Sequence, residues 1–386
     1  MKKLLVCLVL FGVLLSACKD SSVGDGVYFI DLNEDYPARE LVLQDLVKVE
    51  YVSLETDSVF LLSSVSPWFN DGTCLGYVDN KTGNVLFFEA PTGKKSFLIN
   101  RRGQGPEEYV YSSAITKDPV SDEVFVNSTF ESAFKVYSAE GSYLRTLPYC
   151  REKGRYEILS AVENFNDSLL ICTTELPGGP VKGDIKKCFL LHKRIPGWVS
   201  LIDSIGPGQG LLNTIVMKDT GNGVQSMGIR HLPVGKYKAG VCLSESTNDT
   251  IFLLAEDLEK KPYIVRSPSV RSTEPQVLLR YDGETSEWIF LTAIDLDFDF
   301  QTNQGFEERS LGLNKKEGQV YEISLVDRND KSGTSLTFNE RVIPIDEPVS
   351  LIEKRDEGLL QGDLKSIAET LDEDDNGVLI LVSEKD

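Results

Sequence analysis

Histidine is almost missing from this chain: His192 and His231 are the only two in 386 residues. Neither falls in an HExxH or HxH spacing, so a zinc or copper centre built on imidazoles has no ligand set. His192 lies in Leu190-Leu191-His192-Lys193, half exposed on an expected strand. No Gly-x-Ser-x-Gly elbow and no phosphate-binding loop occurs, so the local signatures of a serine hydrolase and of a nucleotide site are absent. Positive charge is also short, with 40 Lys and Arg against 60 Asp and Glu. A surface this acidic repels phosphate backbones and anionic headgroups, which excludes nucleic acid as a partner. The seven cysteines contain no CxxC pair. Past residue 15, no apolar run approaches the ~20 residues of a membrane span. No cofactor and no metal are expected.

What is present starts at the N-terminus. Lys2 and Lys3 precede an apolar run, Leu4 to Leu15, which is too short to span a bilayer and has the flanks of a signal peptide. Leu15-Ser16-Ala17-Cys18 then resembles the lipobox of bacterial lipoproteins. Residues 1–17 are therefore expected to be removed, and Cys18 to carry the acyl chains. The chain from Cys18 onward holds 38 basic and 60 acidic side chains, a formal charge of −22. Any membrane attachment must then come from the lipid anchor alone. Five cysteines remain, Cys74, Cys150, Cys172, Cys188 and Cys242. Cys172 and Cys188 are the nearest pair for a disulfide, but Leu170-Ile171-Cys172 and Val241-Cys242-Leu243 read as small apolar residues of buried strands.

Residues 18–40 read as a tether and 41–386 as one all-β domain. Runs of 5–7 residues alternate with turn signals: Thr73 to Val78, then Asp79 to Gly83, Asn84 to Glu89, Pro91-Thr92-Gly93 and Lys94 to Ile99. Leu86-Phe87-Phe88-Glu89-Ala90 before Gly93 matches Lys135-Val136-Tyr137-Ser138-Ala139 before Gly141, an offset close to 49 residues. A period of this length with four strands per unit is the β-propeller pattern, and the length admits six or seven units. Near the end, Leu359, Leu360, Leu364, Ile367, Ala368 and Leu371 fall at helical spacing, so a helix is expected over Gly358 to Leu371. Gly377 to Val382 then reads as a buried strand that pairs with Val47 to Val52 and closes the ring.

At Asn100-Arg101-Arg102-Gly103-Gln104-Gly105-Pro106-Glu107-Glu108-Tyr109 the chain resembles the six-bladed β-propeller lipoproteins of Bacteroidetes, which are NHL-like in architecture. Ser53-Leu54-Glu55-Thr56, Asn248 to Phe252 and Glu373 to Leu379 match the same family, so the resemblance spans nearly the whole chain. It implies six blades and no assigned activity. Gly103, Gly105 and Pro106 would turn the chain from one blade to the next. Arg101, Arg102, Gln104, Glu107 and Tyr109 would then lie near a propeller face. They are the candidate binding residues; the competing account has the arginines pairing with Glu107 or Glu108 to hold two blades together.

Two acidic stretches invite comparison with a calcium site. Asp372 to Gly377 matches the first half of a calcium loop, but position 12 is Ser383, so an Asn-Gly turn at a helix exit is the simpler expectation. Asp295, Asp297 and Asp299 share one face of an alternating stretch, ~6.6–7 Å apart, too far for one ion. The expected function is an outer-membrane lipoprotein, facing the periplasm or the cell surface, that binds or scaffolds an envelope protein or glycan. The alternative is a carbohydrate-active hydrolase or lyase using carboxylates at the channel mouth.

Overall fold

A computed structural model describes residues 26–62, 69–79, 81–149, 158–174, 185–205, 215–219, 223–229, 234–237, 240–245, 248–339, 342–345 and 347–385. The leader, Cys18, Cys150 and His231 lie outside the described residues.

The chain forms a six-bladed β-propeller. Blade 1 is Phe69–Asn70, Cys74–Val78, Val85–Glu89 and Lys95–Ile99; blade 2 is Ile115–Lys117, Val124–Ser128, Ala133–Tyr137 and Tyr143–Pro148. Blade 3 is Leu159–Asn164, Leu169–Thr174, Ile185–His192 and Val199–Ile205. Blade 4 is Val234–Tyr237, Gly240–Leu243, Thr250–Ala255 and Lys260–Ser267, and blade 5 is Val277–Glu284, Trp288–Asp295, Glu308–Asn314 and Gln319–Val326. The matched stretches around Phe87 and Val136 are the third strands of blades 1 and 2.

Each blade is stacked between two others, so both faces of its middle strands are buried, and such strands read as continuous apolar runs. Val-Leu-Phe-Phe at 85–88 shows why. Val85 and Phe87 pack with Ile115, Val124 and Tyr137 of blade 2, while Leu86 and Phe88 pack with Val52 and Leu379 of blade 6, which Val342–Pro344, Val378–Ser383 and Lys48–Ser53 form. Each such side chain contributes about 1.5–3 kcal/mol by burial, so the stacked ring, not the single blade, is the stable unit. The same alternation settles the cysteines. Cys172 lies opposite Phe189 and Cys188 opposite Thr173, one position out of step, so their side chains leave blade 3 on opposite faces and enter different clusters. Cys74, Cys172, Cys188 and Cys242 are free and buried.

Three short N-terminal strands behave differently. Strand β1 (Tyr28–Asp31) adds parallel to the outer strand of blade 4, and β2 (Ala38–Val42) adds parallel to the outer strand of blade 5. A one-turn helix, α1 (Leu43–Leu46), leads to β3 (Lys48–Ser53), the outer strand of blade 6. Much of the 18–40 segment expected as a tether is thus a strap running along the ring. The expected closure forms: β3 pairs antiparallel with Val378–Ser383, Val52 facing Leu379, and Val342–Pro344 completes the blade.

The helix expected over Gly358–Leu371 forms as the shorter α3 (Gly362–Ala368), and a further helix that was not expected, α2 (Pro348–Asp356), precedes it. Gly358 and Gly362 adopt φ of +74° and +57°, left-handed backbone that interrupts a helix between them. Leu360, Leu364, Ala368 and Leu371 still share one buried cluster with Leu351 and Val378, so the apolar spacing correctly identified the inward face.

The acidic run after α3 is a clasp. Asn376 Nδ2 donates to the carbonyls of Glu55 (2.9 Å) and Phe60 (2.7 Å), its Oδ1 accepts from the Leu62 amide (2.8 Å), and its own amide donates to Thr56 Oγ1 (2.7 Å). The Asp375 carboxylate accepts from the Asp372 amide. Asp295 ends one strand and Asp299 starts a turn after another, Phe298–Asp299, so the three alternating aspartates do not share one strand.

Candidate functional site

The loop from Asn100 to Ala114 joins the outer strand of blade 1 to the inner strand of blade 2. Its turn is built around Glu108. The carboxylate accepts from the Gly105 amide at 2.8 Å, and a Cβ on Gly103 would collide with it, which is why glycine stands there. The backbone then pairs with itself, Gly103 N to Tyr109 O at 3.0 Å and Tyr109 N to Arg101 O at 3.1 Å.

Four side-chain bonds fix this turn to both blades. Arg102 Nη1 donates to the Lys81 carbonyl (2.9 Å) and the Tyr109 hydroxyl to the Gly83 carbonyl (2.7 Å), both in a turn of blade 1. From blade 2, Lys135 Nζ donates to the Pro106 carbonyl and the Tyr137 hydroxyl to the Glu107 carbonyl, each at 2.8 Å. Tyr109 is buried among Phe87, Ile115 and Tyr137, and burial pushes its phenol well above the ordinary range. The stretch does staple two blades, but through carbonyl acceptors. Among the described residues no ion pair joins Arg101 or Arg102 to Glu107 or Glu108.

Of the candidate binding residues, Arg101, Arg102, Gln104 and Glu107 are exposed and Tyr109 is their buried pedestal. Beside them stand groups that the motif did not reveal. Val110, Tyr111 and Phe130 are 40%, 45% and 55% exposed, and the Tyr111 and Phe130 rings lie 6.3 Å apart. Phe130 sits in a 3₁₀ turn, Thr129–Glu131, tied down by the Thr129 amide donating to the Tyr111 carbonyl at 3.2 Å. A signal existed: a lone aromatic within Asn127-Ser128-Thr129-Phe130-Glu131-Ser132 has no apolar neighbours to carry it into a core.

Elsewhere, titratable groups are mostly engaged with the fold. The His192 ring is half-buried, with Nδ1 accepting from the Arg194 amide at 3.0 Å. Lys193 and Asp118 form a buried pair at 3.0 Å between blades 2 and 3, and Arg145 holds Glu123 at 2.6 Å nearby. Asp282, on the inner strand of blade 5, is pushed up to about 6 by burial, against the opposing Arg280 charge and a Thr292 hydrogen bond. A cavity of about 330 Å³ lies between the strap and blades 4 and 5, with Asp295, Glu307, Glu308 and Arg309 on its wall.

The fold defines the class, a six-bladed propeller with a strap along its outer edge. The model of a family described as Domain of unknown function (DUF4934) matches residues 27–383, and the chain belongs to that family. A candidate exported protein from Bacteroides fragilis has the same fold, with a TM-score of 0.59 at 15% identity over 93% of this chain and 100% of its own. A member of the DUF4221 family from Bacteroides vulgatus aligns with a TM-score of 0.49 at 12% identity, covering 88% and 97% of the two chains. No curated protein matches the sequence. Among the described residues, no helix is long and apolar enough to cross a membrane.

Proposed function

We propose that this chain is a lipid-anchored propeller of the cell envelope, held to the outer membrane through Cys18 and facing the periplasm or the cell surface. It binds a protein or glycan partner through the loops that carry Arg101, Arg102, Gln104 and Glu107. The observation that carries this reading is a contrast between the backbone of the 100–114 loop and the side chains that it and the neighbouring Thr129–Glu131 turn present. The loop backbone is fixed to two blades from below, while Val110, Tyr111 and Phe130 stay exposed beside the polar groups. Exposed aromatics on a rigid base bind with a reduced ordering cost, and aromatic and arginine side chains dominate binding hot spots.

The test compares the protein with a Tyr111→Ala/Phe130→Ala double variant, both immobilised and exposed to solubilised envelope extract and to a glycan array. Expected is a ligand that the protein retains and the double variant loses by at least about tenfold, equivalent to ~1.4 kcal/mol. Equal retention by both would remove this face from the function.

A further inference from the structure

The cavity between the strap and blades 4 and 5 is independent of the loop surface and has its own chemistry. Leu32, Val277 and Ala293 line one part of it with apolar surface, and Asp295, Glu307 and Arg309 line another. The Asp295 amide donates to the Glu307 carbonyl at 3.0 Å, extending the ladder in which Ile294 faces Glu308 and Ala293 faces Arg309. Asp295 and Glu307 are therefore direct cross-strand neighbours, whose Cβ atoms lie ~4.5–5.5 Å apart.

Like charges in that arrangement repel. Burial and the Glu307 charge both raise the Asp295 carboxyl, and Arg309 only partly opposes them. Arg309 has a second task. Its Nη2 donates to the Leu32 carbonyl at 2.7 Å, and its Nη1 to that of Glu34 at 3.4 Å, so it pins the strap in place as one wall. Glu308 is one position out of step: it faces Ile294, and its carboxylate leaves on the other side of the blade, 3.7 Å from Arg280, so the charge on this wall is set by Asp295 and Glu307 against the single Arg309.

The wall is thus net negative while part of the lining is apolar. A bare cation would meet only the first property. Moreover, no three metal-ligating side chains converge among the described residues. The volume is that of about ten waters, at ~30 Å³ each, enough for a small organic molecule. We propose that this cavity is a binding site for a small organic ammonium compound. Its charged nitrogen lies between Asp295 and Glu307, and its carbon frame rests on Leu32, Val277 and Ala293.

The probes are glucosamine and 1,4-diaminobutane, with glucose and N-acetylglucosamine as uncharged controls, titrated into the full chain by calorimetry at low salt. At least one amine should bind in the millimolar range or tighter, and neither control should. Glu307→Gln, at an exposed position that leaves the fold intact, should weaken amine binding at least about tenfold. Asp295→Asn should do the same. Binding of the controls as tightly as the amines would make this a neutral-sugar site and overturn the proposal. So would amine binding that both variants leave unchanged, or no amine binding at all.

Discussion

In blades 1, 2 and 3 the outermost strand is the fourth, and among the described residues nothing pairs with its far side. In blades 4 and 5 that position is covered by β1 and β2, and in blade 6 the outer strand β3 packs against the α2–α3 pair. One half of the ring leaves its strand edges open, and the other half covers them. Open edges invite pairing with other chains, and the bare strands carry the usual deterrents: Lys95, Arg145 and Pro148. The covered edges carry apolar contacts instead, Ile30 of β1 being 1% exposed. Stability in the strapped half therefore depends on a segment from the far end of the sequence, whereas blades 1–3 are each built from one continuous stretch.

Removing residues 1–53 should break the comparison most visibly. It strips both strap strands and the outer strand of blade 6, and it leaves buried side chains such as Leu379 and Ile380 without β3. Circular dichroism and gel filtration should show no cooperatively melting monomer. A truncated chain that melts like the whole one would show the strap to be decoration. A gentler probe weighs the two edges against each other. Ile30→Ala in the strap should cost about 2–4 kcal/mol by denaturant unfolding. Leu144→Ala on the open edge of blade 2, where the side chain is 45% exposed, should stay within about 0.5 kcal/mol.

The smallest effect concerns pH, and the two halves should respond with opposite sign. The Asp282 carboxyl of blade 5 is raised above its unfolded value by burial. The folded state then holds its proton more tightly, so stability falls as pH rises from about 4 to about 6. Glu123 in blade 2 is lowered, chiefly by its hydrogen bond from Arg145. Its contribution is present above the unfolded carboxylate range and is lost as pH falls through the lower, folded value. Neither slope can exceed ~1.4 kcal/mol per pH unit. Asp282→Asn should abolish the first slope and Glu123→Gln the second, as read from melts at pH 3 to 7. An unchanged profile in Asp282→Asn would mean that this carboxylate is not strained by its burial.

The comparison also marks where sequence was informative. The middle strands were legible because burial on both faces writes continuous apolar runs, and the closing strand was legible for the same reason: Val378 to Ile380 is wholly buried. The strap was not, because edge strands bury one face only. Ala-Arg-Glu-Leu-Val and Tyr-Phe-Ile-Asp carry charges and are too short to set a period. The helix α3 was legible in its apolar spacing, although Gly362, with left-handed backbone, starts it four residues later than expected; α2, which buries Leu351 but leaves most of its side chains partly exposed, was not. At the loop site, the glycines and Pro106 marked a turn, but nothing in their spacing told whether Tyr109 points out or in. That was decided by Phe87 and Ile115, which come from elsewhere in the chain.

The pairing of β3 with Val378–Ser383 joins residues about 330 positions apart. At ~5–20 residues per second, a growing chain would wait about 15–65 s between making the two partners. Within that interval Ile30 waits for the outer strand of blade 4, Leu41 for that of blade 5, and Val52 to the end for Leu379. Blades 1 to 3 can gather as they emerge, but the first apolar residues synthesised are among the last to be sheltered. A chain built this way needs its early segment kept from wrong partners until the final strand arrives.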